Sequence, residues 1–291
     1  PTPEMSFAIR HLGCQSGIIL TASHNPKEYN GYKAYWDDGA QVLAPHDKGI
    51  IDEVNKVSVA DIKFEGNPAL IEVLGKEIDQ VYLEKVHTLS IDPACIERQK
   101  DLKIVYTPLH GTGMMLIPDS LKLWGFENVH TVPEQMVKDG NFPTVISPNP
   151  ENAEALSIGC KLCEEIGADI MLGTDPDCDR VGIAVNQNGE YVLLTGNEVG
   201  ILLLHYIAQC ATERGTMPKD PVAVTTIVST DMVNDIAKDY GIEIRRVLTG
   251  FKYIGDQIRL LEEKGEAERF VLGYEESYGY LTGSFVRDKD A

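Results

Sequence analysis

The stretch that decides the fold is residues 222–273, VAVTTIVSTDMVNDIAKDYGIEIRRVLTGFKYIGDQIRLLEEKGEAERFVLG. Short runs rich in β-branched residues alternate in it with longer amphipathic runs of helical period. It therefore predicts strand, helix, strand, helix and strand over 222–227, 230–240, 243–248, 251–264 and 269–273. This alternation is typical of α/β units with a largely parallel sheet, in which ligands bind at the loops after the carboxyl ends of the strands.

Similar units are predicted upstream of this stretch. A strand at 102–106 starts a second one, which ends in a hairpin whose turn contains Asn188-Gly189. At the N-terminus, Thr2 and Pro3 predict the start of a helix, with the Thr2 hydroxyl as its cap. The run 17–20 predicts a short buried strand. We expect three consecutive α/β domains with mixed, largely parallel sheets, bounded at 1–98, 99–195 and 196–291, with an active site in the cleft between them.

Composition limits the classes of function. The 291 residues carry a net charge of −19, which argues against nucleic-acid or anionic-membrane partners, because those need a basic face. No apolar run is long enough to span a bilayer, and the first residues lack the pattern of a secretion signal. Six cysteines in a chain of this length indicate reduced thiols. We expect a cytoplasmic protein.

A serine lies in an unusual local sequence, TASHNP at 21–26. It follows the predicted strand at 17–20, and Asn25-Pro26 predicts a tight turn. The turn would place the Ser23 hydroxyl beside the His24 imidazole at the end of a strand. Either a reactive serine or an ordinary loop is consistent with this pattern.

Three alternating aspartates follow the strand predicted at 169–173, in the segment TDPDCDR at 174–180. Pro176 disfavours helix at Asp175, so we expect an extended loop with all three carboxylates on one side. Carboxylates so close repel one another unless a cation lies among them, and oxygen-only ligands favour Mg²⁺, Mn²⁺ or Ca²⁺. The spacing does not fit an EF-hand, which needs Gly and Glu where this chain has Arg180 and Asn186. A solvated acidic turn is the alternative.

Other segments of the sequence carry weaker indications of function. GYEESYG at 273–279 offers carboxylate and hydroxyl groups suited to sugar hydroxyls, and TGFK at 249–252 opens a helix where an anion can bind. The glycines at 107–113 form only a partial dinucleotide motif. The CxxC formed by Cys160 and Cys163 has no second pair, so we interpret it as structural.

The order of these motifs resembles that of the α-D-phosphohexomutases, and of their phosphoglucomutase and phosphomannomutase branch in particular. The matching segments are TASHNP, NGYK at 30–33, LHGTG at 109–113, DPDCDR, TGFK and GYEESYG. The resemblance extends over nearly the whole chain, to VRDKD at 286–290.

The resemblance implies a mutase that moves a phosphoryl group between O1 and O6 of a glucose or mannose phosphate through a sugar bisphosphate. Ser23 would be the phosphoserine, and Asp175, Asp177 and Asp179 would bind one Mg²⁺ together with an oxygen of that phosphoserine. The other implied roles are proton transfer and phosphate stabilisation by His24 and Lys33, phosphate contact by Arg180, and sugar recognition by Thr249, Gly250, Lys252, Glu275 and Ser277. A hexose 1,6-bisphosphate would be the activator and a small-molecule sugar phosphate the partner. The oligomeric state and the choice among glucose, mannose and pentose phosphates stay open.

Family members also have an earlier N-terminal segment with an active-site arginine and a fourth, phosphate-binding domain. We therefore expect this chain to be a fragment with little turnover of its own. Two alternatives remain at this stage: a phosphatase of the haloacid-dehalogenase type with Asp175 as nucleophile, and a metal-binding module without catalysis.

Overall fold

The computed structural model describes all of residues 1–291 and contains nine α-helices and eleven β-strands in three sheets. The helices are α1 (Thr2–Leu12), α2 (His46–Val54), α3 (Lys76–His87), α4 (Pro93–Arg98), α5 (Ile117–Trp124), α6 (Ala153–Ile166), α7 (Gly196–Arg214), α8 (Met232–Tyr240) and α9 (Phe251–Glu262). The strands are β1 (Ser16–Leu20), β2 (Tyr32–Trp36), β3 (Ile104–Thr107), β4 (Val129–Thr131), β5 (Ile170–Thr174), β6 (Val181–Gln187), β7 (Glu190–Leu193), β8 (Val222–Thr226), β9 (Glu243–Val247), β10 (Phe270–Glu275) and β11 (Gly279–Leu281). The prediction of an α/β protein is confirmed.

The three sheets are mixed. The first is an antiparallel pair, β1 with β2. The second has the order β4-β3-β5-β6-β7, in which β4, β3 and β5 are parallel and the hairpin β6-β7 is antiparallel to them. The third has the order β11-β10-β8-β9, with only β11 antiparallel. The predicted aspartate loop follows β5, and the predicted sugar-recognition loop follows β10.

The third sheet has a helix layer on each face. On one side Ile254 and Ile258 of α9 are fully buried, and on the other Leu204 of α7 and Val233 of α8 are fully buried. Each such aliphatic side chain contributes about 1.5–3 kcal/mol through burial. The core on the α9 side also includes Phe7 of α1. The N-terminal helix is therefore anchored on the C-terminal part of the chain.

Strand β1 differs from the prediction of a buried strand, which is wrong. Ile18 is 54% exposed and Leu20 is 72% exposed. The strand pairs only with β2, and α1 covers only the face that carries Gly17, where an added Cβ would lie 2.3 Å from Ile9. The opposite face has no covering element in this structure.

Two further local predictions are corrected. Thr2 is the first residue of α1, and its hydroxyl donates to Asp177 across the molecule, so it is not the helix cap. The loop predicted after the strand at 269–273 is short, because Glu275 ends β10 and Gly279 starts β11, which leaves a three-residue turn. No helix combines the length and apolarity that crossing a bilayer requires.

Candidate functional site

The three aspartates after β5 converge on one point. Each of Asp175, Asp177 and Asp179 is buried, and each offers an oxygen within 4.8 Å of the others. The convergence was predicted, but the extended backbone was not correct. The segment is a turn closed by the Cys178 N–H, which donates to the Asp175 carbonyl at 2.9 Å, and Cys178 has a φ of 58°. The turn thus brings together side chains that an extended chain would spread out.

Asp175 forms the base of the cluster. Its Oδ1 accepts the backbone N–H groups of Asp179 and Arg180, both at 3.0 Å, and its Oδ2 accepts the Ser23 hydroxyl at 2.9 Å. Burial first, and then the neighbouring Asp177 and Asp179 carboxylates, raise the pKa of Asp175 well above its usual value. The Arg180 charge opposes this rise in pKa without cancelling it.

Two lysines contact the other two aspartates. Lys33 Nζ lies 3.0 Å from Asp177 Oδ2 and 3.1 Å from Asp179 Oδ2, and Lys289 Nζ lies 3.2 Å from Asp179 Oδ2. Burial has the largest single effect on the pKa of Asp177 and raises it, but Lys33, Asp175 and Lys289 together outweigh burial and hold this pKa below its usual range. The same ion pairs outweigh burial at Lys33 and keep its pKa above the usual value.

The remaining oxygens fit a divalent cation. Asp177 Oδ1 and Asp179 Oδ1 are buried and have no hydrogen-bond partner. Buried polar atoms almost always have partners, so two unpartnered carboxylate oxygens on facing side chains indicate a position for a cation.

Ser23 is held against this cluster by its loop. Its φ is 53°, and its backbone N–H donates to Thr21 Oγ1 at 2.8 Å. His24 Nδ1 lies 3.2 Å from Ser23 Oγ, while the His24 carbonyl accepts the Ser147 hydroxyl. Burial, assisted by the nearby Arg180 charge, lowers the pKa of His24 to about 4, so the imidazole is neutral at neutral pH. The predicted Ser–His pair exists, beside the aspartates.

Arg180 extends toward the same region. Its Nη1 pairs with Glu151 Oε1 at 2.5 Å, and its Nε is buried without a partner. A buried N–H donor without an acceptor is costly, which suits a site that receives an anion.

The predicted sugar-recognition residues fall into three groups. Glu275 is 3% exposed, its pKa is raised by burial, and its Oε1 accepts the Gly250 N–H at 2.7 Å, so the loops after β9 and β10 are joined there. Lys252 instead pairs with Asp47, at 3.1 Å. Thr249 is exposed and Ser277 half-buried, without a side-chain hydrogen bond in either case.

Comparison with known proteins gives three adjoining family matches. They are the phosphoglucomutase/phosphomannomutase alpha/beta/alpha domain I over residues 1–61, domain II over 80–189 and domain III over 195–291. Together these matches cover most of the chain. The chain belongs to the phosphoglucomutase/phosphomannomutase family.

Individual relatives agree with this assignment. The chain is 39% identical to the phosphoglucomutase of Staphylococcus haemolyticus, over 100% of the chain and 52% of that protein. It is 37% identical to the phosphomannomutase of Mycoplasmoides pirum, over 98% of the chain and 51% of that protein. The solved open form of the phosphoglucomutase pp63/parafusin from Paramecium shares the fold at a TM-score of 0.71 and 21% identity, over 99% of the chain and 54% of that structure. The chain spans about half the length of the curated relatives it matches.

Two residues of this phosphoglucomutase/phosphomannomutase chain were not identified as site residues from sequence. Lys289 reaches Asp179 from the charged run at 286–290, and the missing side chain of Gly279 makes room for it, since a Cβ there would lie 2.0 Å from Lys289 Cδ. Thr2 reaches Asp177 from the start of α1. The VRDKD run was a usable signal for Lys289, but nothing local singled out Thr2.

The LHGTG segment supports the aspartate turn and is no dinucleotide motif. Thr112 donates to the Pro176 carbonyl through both its backbone N–H, at 2.8 Å, and its hydroxyl, at 2.9 Å. Gly111 packs directly against Pro176, where a Cβ would lie 2.2 Å from the Pro176 Cα. The close approach requires glycine at this position.

Gly111→Ala is expected to displace the turn, because the new methyl would meet backbone atoms that cannot rotate away. We expect a loss of about 1–3 kcal/mol in the free energy of unfolding and weaker Mn²⁺ binding. Urea unfolding and Mn²⁺ titration measure the two effects. Gly49→Ala is the control, since its Cβ would meet nothing within 4 Å and its place in α2 should yield a gain of about 0.5–1 kcal/mol. Equal stability of the two variants would contradict the supporting role of Gly111.

The CxxC pair lies on α6, away from the aspartates. Burial raises the pKa of Cys160, and it raises that of Cys163 to about 12. Thiols so weakly acidic are poor nucleophiles and poor metal ligands at neutral pH. The geometry agrees with the structural interpretation of this pair.

Proposed function

We propose that the chain provides the phosphoryl-transfer centre of a phosphosugar mutase that moves a phosphoryl group between O1 and O6 of a hexose phosphate. One observation carries this proposal. The 2.9 Å hydrogen bond from Ser23 Oγ to Asp175 holds a hydroxyl nucleophile against a carboxylate cluster that has unpartnered oxygens. Relatives named phosphoglucomutase and phosphomannomutase support it.

In this proposal Ser23 carries the phosphoryl group as a phosphoserine. It gives the group to one sugar oxygen and takes back the group on the other, so the sugar passes through a 1,6-bisphosphate. Phosphoserine brings about 1.5 to 2 negative charges. Mg²⁺, one per chain, would be bound by Asp175, Asp177 and Asp179 and would neutralise part of that charge.

Two residues beside Ser23, His24 and Lys33, would contact the reacting groups. The His24 imidazole is neutral because its pKa is lowered to about 4, so a ring nitrogen would accept a hydrogen bond from the attacking sugar hydroxyl, although a pKa this low makes His24 a weak base. Lys33 stays charged because its ion pairs raise its pKa, so it acts as a stabilising cation for the phosphoryl oxygens.

Anion and sugar contacts come from the surrounding loops. The unpartnered Nε of Arg180 would donate to a phosphoryl oxygen. Glu275 and Ser277, with the 249–252 segment, would bind sugar hydroxyls, and the Gly250–Glu275 hydrogen bond keeps these loops adjacent. Lys252 would have to leave Asp47 to contact a substrate.

The same proposal includes the activator, the partners and the arrangement of the domains. A hexose 1,6-bisphosphate would start the cycle by phosphorylating Ser23, and the partners would be small-molecule sugar phosphates of the cytoplasm. The units bounded at 1–98, 99–195 and 196–291 would surround the reacting phosphate.

The phosphatase alternative requires a free carboxylate on Asp175. Both oxygens of Asp175 are engaged, Oδ1 by two backbone N–H groups and Oδ2 by Ser23, and the residue is fully buried. In-line attack on phosphorus by Asp175 would have to break these contacts. Ser23 is the better-placed nucleophile.

A sugar-phosphate panel tests the proposal. The protein encoded by the intact reading frame is assayed with Mg²⁺ and a catalytic amount of glucose 1,6-bisphosphate on the 1-phosphates of glucose, mannose and ribose. We expect isomerisation of at least one hexose phosphate. Hydrolysis to free sugar without isomerisation would support the phosphatase, and no reaction on any of them would support the non-catalytic module.

A further inference from the structure

Thr2, at the start of α1, makes two contacts to Asp177, which lies 175 residues further along the chain. Its hydroxyl donates to Asp177 Oδ2 at 3.0 Å, and its backbone N–H donates to the Asp177 carbonyl at 2.8 Å. Thr2 is 1% exposed. Thr2 and Lys33 are the two donors to Asp177 Oδ2.

These contacts bear on which way the Asp177 carboxylate faces. Oδ2 accepts from both Thr2 and Lys33, while Oδ1 is buried and has no partner. Two donors on one oxygen fix the rotation of the carboxylate about its Cβ–Cγ bond. Oδ1 is left without a donor, on a carboxylate that contributes one of the three oxygens lying within 4.8 Å of one another.

The orienting effect can be separated from the effect of charge. Lys33 and Lys289 both orient carboxylates and repel a cation, so the net effect of replacing either one has no certain sign. Thr2 carries no charge, so losing its hydroxyl alters only geometry and one hydrogen bond. Hydrogen-bond partners behind metal ligands typically contribute 10–100-fold to metal affinity.

We propose that Thr2 is a positioning residue that orients Asp177 for metal binding. This inference rests on the proposed metal site. Phe7 and Ala8 of the same helix belong to the core on the third sheet, so the packing of α1 also sets where the Thr2 hydroxyl lies. The metal site thus depends on a helix that contributes no ligand to it.

The test measures Mn²⁺ affinity by the electron paramagnetic resonance signal of free Mn²⁺, on the full chain and without substrate. Thr2→Val keeps the shape and removes the hydroxyl, and Thr2→Ser keeps the hydroxyl. Thr225→Val is the matched control, because it removes a buried hydroxyl that donates to the Tyr274 carbonyl at 3.1 Å, away from the aspartates. Circular dichroism checks that each variant is folded.

We expect Thr2→Val to raise the Mn²⁺ dissociation constant by about 10-fold or more, Thr2→Ser to restore most of the affinity, and Thr225→Val to bind like the wild type. Affinity in Thr2→Val equal to that of Thr225→Val would overturn the inference and leave the metal site intact. If the wild type itself binds no Mn²⁺, the metal site of the proposed function fails, and the inference with it. Should Thr2→Val not fold, Thr2→Ala against Thr2→Ser gives the same comparison.

Discussion

Ser23→Ala is expected to abolish phosphorylation of the chain by glucose 1,6-bisphosphate and to lower mutase turnover of the intact protein by about 10³-fold or more. The step makes a bond between Ser23 Oγ and phosphorus, breaks the bond from phosphorus to the sugar oxygen, and returns a proton to that oxygen. Alanine has no oxygen to form the new bond. The His24 imidazole and the aspartates keep their positions, so no other hydroxyl is held in place of Ser23.

Peptide mass spectrometry after incubation with the bisphosphate and Mg²⁺ gives the site of the added phosphoryl group. Ser157→Ala is the control, because Ser157 lies on α6 and its hydroxyl donates only to the Glu154 carbonyl of the same helix. Mn²⁺ binding should persist in Ser23→Ala, since the three carboxylates remain. A phosphoryl group found on Asp175 in that variant would favour the phosphatase alternative and remove Ser23 from the mechanism.

The sequence singled out candidate site residues where their chemistry is local, and their roles stay a prediction. The aspartate turn, the serine loop and the loop after β10 each combine their residues within a few positions, so composition and turn signals were enough to select them. The strand–helix alternation from 222 to 273 likewise predicted the parallel part of the third sheet, since β8 and β10 are buried on both faces and α8 and α9 each bury an apolar face against them.

The sequence did not predict contacts that join distant segments. Thr2 has the residue type and position expected of a helix cap, but its hydroxyl donates to Asp177, which lies 175 residues further along the chain. Lys289 lies in a charged run that is typical of solvent-exposed chain, yet it is 8% exposed because Asp179 and the space beside Gly279 accommodate it. For β1, apolar composition predicted burial, while the tertiary arrangement covers only one of its faces.

Asp177→Asn is expected to abolish detectable divalent-metal binding while Ser23→Ala retains it. The substitution keeps the size of the side chain and removes one negative charge, so the remaining carboxylates have no excess of negative charge over Lys33 and Lys289. A cluster without excess negative charge has little attraction for a doubly charged cation, and Asn offers one oxygen in place of the two of Asp177. Mutase turnover of the intact protein should fall with metal binding, because the phosphoserine charge would no longer be neutralised.

Metal binding and folding should separate in this variant. Lys33 loses one of its two carboxylate partners but keeps Asp179 at 3.1 Å, so we expect a cost below the roughly 3–5 kcal/mol of a fully broken buried ion pair. Thermal unfolding should show that Mg²⁺ raises the melting temperature of the wild type and leaves that of Asp177→Asn unchanged. Asp47→Asn is the control, because it breaks the Lys252 ion pair elsewhere and should keep the Mg²⁺ response. If Asp177→Asn were stabilised by Mg²⁺ as strongly as the wild type, the unpartnered oxygen of Asp177 could not be a metal ligand, and the geometric argument for the site would lose its main support.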